Sequence, residues 1–331
     1  MIECIFTLDY EIYGNGVGSL RELVLEPTQR LADLFHEFKA PLVVFAEAVE
    51  FAKMEEVQSD PDTGAVRAQL RELRAAGHEI ALHIHPWWAN AQYDEGCWHL
   101  DWSEQKIGTL QPDRIEAIVS GALQYLREAL KDPGFTPLSF RAGSWAFQPT
   151  PVIASVLARH GVEVDSSVFK GGWVHGLGLD YRPALKNPSS WRFSSDVNVP
   201  DPGGALREIP IYTELVPFWQ MLRRKRLKLQ SKTRSASQGS PLPHDWRDFL
   251  RFRYPRKFDF CRMTFEEMRE AIDSAPKNSQ ESKPEILVAV GHSKDYVDGD
   301  AVRRFLGYLR ERDVRVTTFS SLLGHNSALL S

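Results

Sequence analysis

Short continuous apolar runs, separated by stretches with helical spacing, limit what this chain can fold into more than any other feature. Ile5 to Asp9, Leu42 to Ala46, Leu138 to Ala142, Val162 to Val168 and Ile286 to Val290 read as buried strands, and Ile209 to Tyr212 and Val314 to Phe319 as shorter ones. Between them lie a helix starting at Pro27 with Leu31, Leu34 and Phe35 on its apolar face, a helix over Val66 to Ala76 stopped by Gly77, and a helix over Asp113 to Leu130. Thr150 to His160, Phe265 to Ile272 and Ala301 to Glu311 follow the same spacing. Strands that are apolar throughout belong to a parallel sheet covered by helices, and this many strand–helix units predict a closed or nearly closed barrel. The 331 residues fit one large domain of that kind, since α/β barrels routinely run to about 250 residues or more.

Within this frame one strand carries unusual chemistry. Gly77-His78-Glu79-Ile80-Ala81-Leu82-His83-Ile84-His85-Pro86 ends in two histidines two residues apart, which project from one face of a strand. Pro86 has no amide hydrogen and ends strand pairing where they emerge. Converging neutral imidazoles suit Zn²⁺ or a similar divalent ion. Asp9 and Glu11 repeat the same spacing at the end of the first strand; Arg141, Asp165 and His292 stand at the ends of three others. Polar groups at one end of several apolar strands are what an active site on a barrel requires. The loop from Asn90 to Gly108 holds Trp98, His99, Asp101 and Trp102, which suit either a sugar platform or aromatic packing beneath a long loop.

In order and spacing these residues resemble the motifs of the polysaccharide deacetylases, the NodB-homology or carbohydrate esterase family 4 group. Thr7-Leu8-Asp9-Tyr10 resembles the first motif, His83 the first histidine of the second, Arg141 the arginine of the third, Asp165 the aspartate of the fourth, and Val290-Gly291-His292 the fifth. The resemblance implies a distorted (β/α)7-type barrel spanning 1–331 as a single domain and one divalent ion, zinc before cobalt, nickel or manganese. It further implies N-deacetylation of an acetamido sugar in a polysaccharide or glycan precursor. Asp9 is then the catalytic base, oriented by Arg141, and His292 the acid that protonates the departing amine, biased toward its charged form by Asp165. Two departures matter: Tyr10 replaces a metal-binding aspartate, which passes the ligand role to Glu11, and Trp87 stands where a second histidine is usual, which passes it to His85. Another metal-dependent amidohydrolase and a carbohydrate-binding relative without catalysis are the alternative readings.

Charge and targeting signals complete the expectations. No run of eighteen apolar residues is present, and Met1 to Asp9 enters a strand with no basic leader, which places the protein in the cytoplasm. Cys4, Cys97 and Cys261 match neither a disulfide framework nor a zinc motif. Between Val216 and Lys257 there are 12 basic residues against two acidic ones, so the rest of a chain of net charge −4 carries −14. This basic excursion at 216–257 predicts either a solvated face or peripheral contact with an anionic membrane; nucleic acid fits poorly with the acidic remainder. Lys232 to Pro243 and Asn278 to Lys283 read as flexible excursions.

Overall fold

A computed structural model describes residues 2–223, 226, 227, 229, 252–275 and 285–324. Its framework is a curled sheet of parallel strands: β1 (Ile2–Tyr10), β2 (Val43–Glu47), β3 (Glu79–Ile84), β4 (Ser139–Ala142), β5 (Val164–Asp165), β6 (Leu206–Glu208), β7 (Glu285–His292) and β8 (Arg315–Thr317). The spatial order is β6-β5-β4-β3-β2-β1-β7. β8 pairs with the first half of β1, and Trp191–Phe193 adds an antiparallel edge beside β6. Single parallel bridges from Phe169 to Ile211 and from Ile211 to Val288 bring the far end round to β7, completing a distorted (β/α)-type barrel. The expected strand at Ile209 to Tyr212 is therefore reduced to bridges, because Pro210 lacks the amide hydrogen that a regular ladder needs.

Helices cover the outside: α1 (Glu26–Glu37), α2 (Ala48–Glu56), α3 (Thr63–Ala75), α4 (Pro112–Leu130), α5 (Pro151–Arg159), α6 (Phe265–Ser274) and α7 (Gly299–Glu311). Side-chain alternation along the strands sorts residues into two layers. Cys4, Phe6, Leu8 and Tyr10 of β1 pack outward against the helices, whereas Ile5 joins Val43, Phe45, Ala81, Val164, Ile209 and Val288 inside the barrel, with Phe319 closing its base. Each Val, Leu, Ile or Phe among them contributes about 1.5–3 kcal/mol by leaving water. The same alternation carries the interior rows upward to Asp9, Glu47, His83 and Arg141.

The turn into β3 shows how the local sequence sets register. Gly77 adopts φ 90°, a conformation open to a residue without Cβ, and His78 then accepts the Leu42 amide hydrogen on Nδ1 at 3.0 Å. Burial, reinforced by His36, lowers the His78 pKa to about 4. The folded ring thus stays neutral while the unfolded chain takes up a proton below about pH 6.5, so stability is retained above that pH and lost as pH falls toward 4. The loss is of order 3 kcal/mol. In His78→Gln, unfolding free energy measured by denaturant titration should fall by about 1–3 kcal/mol less than wild type between pH 7 and 4.5; a wild-type minus variant difference that is constant with pH would refute this.

Candidate metal centre and catalytic pocket

Strand register brings the polar residues to one level. Asp9 lies opposite His292 between β1 and β7, Glu47 opposite His83 between β2 and β3, and His83 opposite Arg141 between β3 and β4. Just beyond β1, the Glu11 carboxylate is 3% exposed and stands between the two histidines, with Oε2 at 3.1 Å from His85 Nδ1 and 3.4 Å from His83 Nε2. Its other oxygen, Oε1, accepts a hydrogen bond from Lys294 Nζ at 2.7 Å. Burial pushes the Glu11 pKa up, but Lys294, His85 and His83 together outweigh it and hold the carboxyl well below the ordinary carboxylate range. Burial also takes His85 down to about 3, so its ring is neutral.

For Glu11 and His85 these are the states that a metal ligand requires. His83 Nδ1 donates to the Arg141 carbonyl oxygen at 2.8 Å, which turns Nε2 toward Glu11; burial lowers the His83 pKa, but Glu11 and Asp9 outweigh it and raise it, so a bound cation would displace a proton from Nε2. Glu11 Oε2 and His85 Nδ1 are buried with no hydrogen-bond partner, and the three donor atoms lie within 4.8 Å of one another. A hard oxygen and two imidazole nitrogens fit a divalent ion such as Zn²⁺. Two further glutamates, both buried, fix the backbone on either side. Glu47 accepts from the His85 amide at 2.6 Å and from the Glu50 amide, and Glu50 accepts from the Ile12 amide at 2.9 Å.

Beside this trio, Arg141 is fully buried, with its guanidinium 4.2 Å above the Phe45 ring centroid. It donates to Asp9 Oδ1 at 2.5 Å and to the Ser166 carbonyl at 2.9 Å. Asp9 Oδ2 lies 3.5 Å from His292 Nε2. Asp9, Glu11 and His292 form a second group of potential donors that shares Glu11 with the first. Around these groups is a pocket of about 210 Å³, walled by Tyr13, Trp87, Trp102, Trp145 and Arg262 among others.

The expected pairing of Asp165 with His292 is not formed. Asp165 points outward, on the opposite strand face from Val164, where it accepts from Ser167 Oγ at 2.8 Å and meets Glu208. Burial pushes Asp165 up to about 6 and Glu208, further raised by the neighbouring Asp165, well above the usual range. The carboxylate beside the His292 ring is instead Asp295, 3.6 Å from Nδ1 and itself 2.7 Å from Arg262. Lys294, Asp295, Arg262, Glu47 and Glu50 carry no motif. Only the short spacing from His292 to Lys294 and Asp295, and the acids following β2, hinted at some of them. Tyr10 turns outward to Gln69, 2.9 Å from its hydroxyl, and leaves the ligand position to Glu11.

Solved structures with this architecture share little sequence with it. A Mycobacterium smegmatis protein described as a polysaccharide deacetylase superposes over 98% of this chain and 89% of its own, with TM-score 0.53 and 16% identity. One from Pseudomonas aeruginosa PAO1, with the same description, covers 98% and 90% at TM-score 0.52 and 14% identity. The chain shares the fold of these two structures. The deacetylase architecture also extends to the Puue allantoinase, which superposes over 99% of this chain and 91% of its own at TM-score 0.53 and 16% identity. No family model and no curated protein matches the sequence.

Purified protein should hold about one divalent ion per chain by elemental analysis, and the double substitution His83→Ala and His85→Ala should abolish it. A double variant that keeps its full metal content would show the ligands to be elsewhere.

Proposed function

We propose that this protein is a metal-dependent hydrolase that removes the acetyl group from an acetamido sugar. The observation that carries the reading is one pocket floor holding a buried Glu11, His83 and His85 donor set beside an Asp9–Arg141 pair, with His292 facing Asp9. The deacetylase-like architecture supports the same reading. A bound divalent ion, zinc before cobalt, nickel or manganese, would polarise the amide carbonyl and make water a better nucleophile at neutral pH.

The chain's own residues supply the rest. Arg141 occupies Asp9 Oδ1 and leaves Oδ2 toward the pocket, so Asp9 takes the water proton through that oxygen. Burial keeps the resting His292 ring neutral, so the proton it delivers is the one Asp9 has removed, passed across the 3.5 Å gap to Nε2 and on to the departing amine. Asp295, 3.6 Å from Nδ1, favours the imidazolium as it forms, the bias first expected of Asp165. Lys294 keeps Glu11 ionised. Asp9→Asn should retain metal and lose at least about a hundredfold in acetate release from acetamido sugars, whereas Glu11→Gln should weaken metal retention. An exchange of the two phenotypes would reverse the roles of base and ligand.

The Puue allantoinase among the structural neighbours favours a second reading, hydrolysis of another amide by the same groups. Product masses on acetamido sugars and on cyclic amides separate the two.

We place the substrate among glycan precursors of surface polysaccharide or O-antigen type, met in the cytoplasm at the inner face of the membrane. No helix among the described residues is long and apolar enough to cross a membrane. Much of the basic excursion, 224, 225, 228 and 230–251, lies outside the described residues. Within its described part Trp219, Leu222 and Phe252 are exposed, which suits a peripheral contact. Arg226 and Arg256 are committed elsewhere, both buried and 3.3 Å from Glu267 of α6. Binding to anionic vesicles should fall with salt and weaken when Arg223, Arg224 and Lys225 become Ser. Indifference to anionic vesicles at low salt would leave a soluble substrate.

A further inference from the structure

Given the deacetylase reading, we infer that the site accepts a single acetamido sugar, free or at the end of a glycan, and rejects units inside a polysaccharide chain. A polymer can be processed internally only across a cleft open at two opposite ends, and the described residues form a ring around the mouth of this pocket. Tyr13 comes from the loop after β1, Trp87 and Trp102 from that after β3, Trp145 from that after β4, and Asp295 from that after β7. The side that would otherwise stay open, above β5 and β6, is spanned by the segment from Lys257 to Arg262. Lys257 Nζ stands 3.1 Å from the centroid of the Trp145 ring, and Arg262 reaches Asp295 at 2.7 Å. That segment lies alongside β7 through the bridge between Asp259 and Val290, so it is part of the barrel rim.

The walls are braced. Trp102 rests 5.3 Å from Trp87, whose ring lies 4.4 Å from His85. Ser144 and Trp145 both occupy the left-handed region, at φ 53° and 57°, and the Trp145 carbonyl accepts the Tyr181 hydroxyl at 2.6 Å. Strained backbone held in this way at a pocket wall fixes the side chain's direction. The pocket volume, about 210 Å³, lies below the roughly 300–1,000 Å³ of pockets that take drug-sized ligands. One sugar with its acetamido group directed at the floor fills that space, and any glycosidic partner must project outward.

The test uses metal-loaded protein with N-acetylglucosamine and its β-linked oligomers of two to six units. Each product should lose one acetyl group, from an end unit, with kcat/KM changing less than about threefold along the series. Two or more acetyl groups lost per chain, or kcat/KM climbing tenfold or more with length, would overturn the inference. Asp9→Asn titrated with the same series by tryptophan fluorescence gives an independent readout: Kd should be flat with length, and Kd tightening with length, or binding of none of the six, refutes it. Flat binding without acetate release from wild type would uphold the size limit and remove the deacetylase reading instead. Lys257→Ala, which opens the rim, should allow internal loss of acetyl groups; a wild-type pattern from this variant, with folding checked by circular dichroism, would exclude the segment as the barrier.

Discussion

An ionised carboxylate taken wholly out of water is the constraint around which this barrel mouth is built. Glu11 is almost fully buried, and an unpaired charge in such a place costs several kcal/mol. Lys294 occupies one of its oxygens, and two imidazoles face the other. The cost is met only while the loops bearing these groups stay in register. Glu47 at the end of β2 and Glu50 just after it hold two of them by their backbone amides, each reaching a partner 38 residues away in sequence.

Much of the architecture is legible in the sequence because the strand period is short and strict. A residue's parity along β1 or β3 decides whether it meets the helices or the lumen, and that rule places Asp9 and His83 on the interior rows. The same rule, applied to Asp165, would have put it on the outer face with Glu208; the family motif pointed the other way, and geometry overrides it. Asp295 could not be read in advance. Its relation to His292 depends on a 3-10 turn directly after β7, and its partner Arg262 comes from a segment joined to β7 by a single bridge. The antiparallel pair Thr213–Pro217 with Arg253–Lys257 was equally hidden, because 35 intervening residues of mixed polarity carry no hairpin signal.

The basic excursion has a divided character that composition alone conceals. Arg226 and Arg256 converge on Glu267, which also caps α6 in reciprocal bonds with Thr264, so two of the twelve positive charges serve packing rather than a partner. Removing one member of such a buried group is far more disruptive than removing a surface charge, because it strands the others without compensation. Lys257 belongs to neither class: burial lowers its pKa to about 7, and its amine lies against Trp145.

Gly143 sits directly after β4, and its absent side chain is what lets His85 lie where it does. A Cβ built there would come within 2.2 Å of His85 Cδ2 and 2.8 Å of the Ile84 carbonyl oxygen. No side chain of any size is compatible with both the strand end and that imidazole. A substitution at this position therefore displaces the His85 ring, and with it the Trp87 ring packed 4.4 Å away. Position 143 thus ties the choice of residue directly after β4 to the placement of an imidazole at the end of β3.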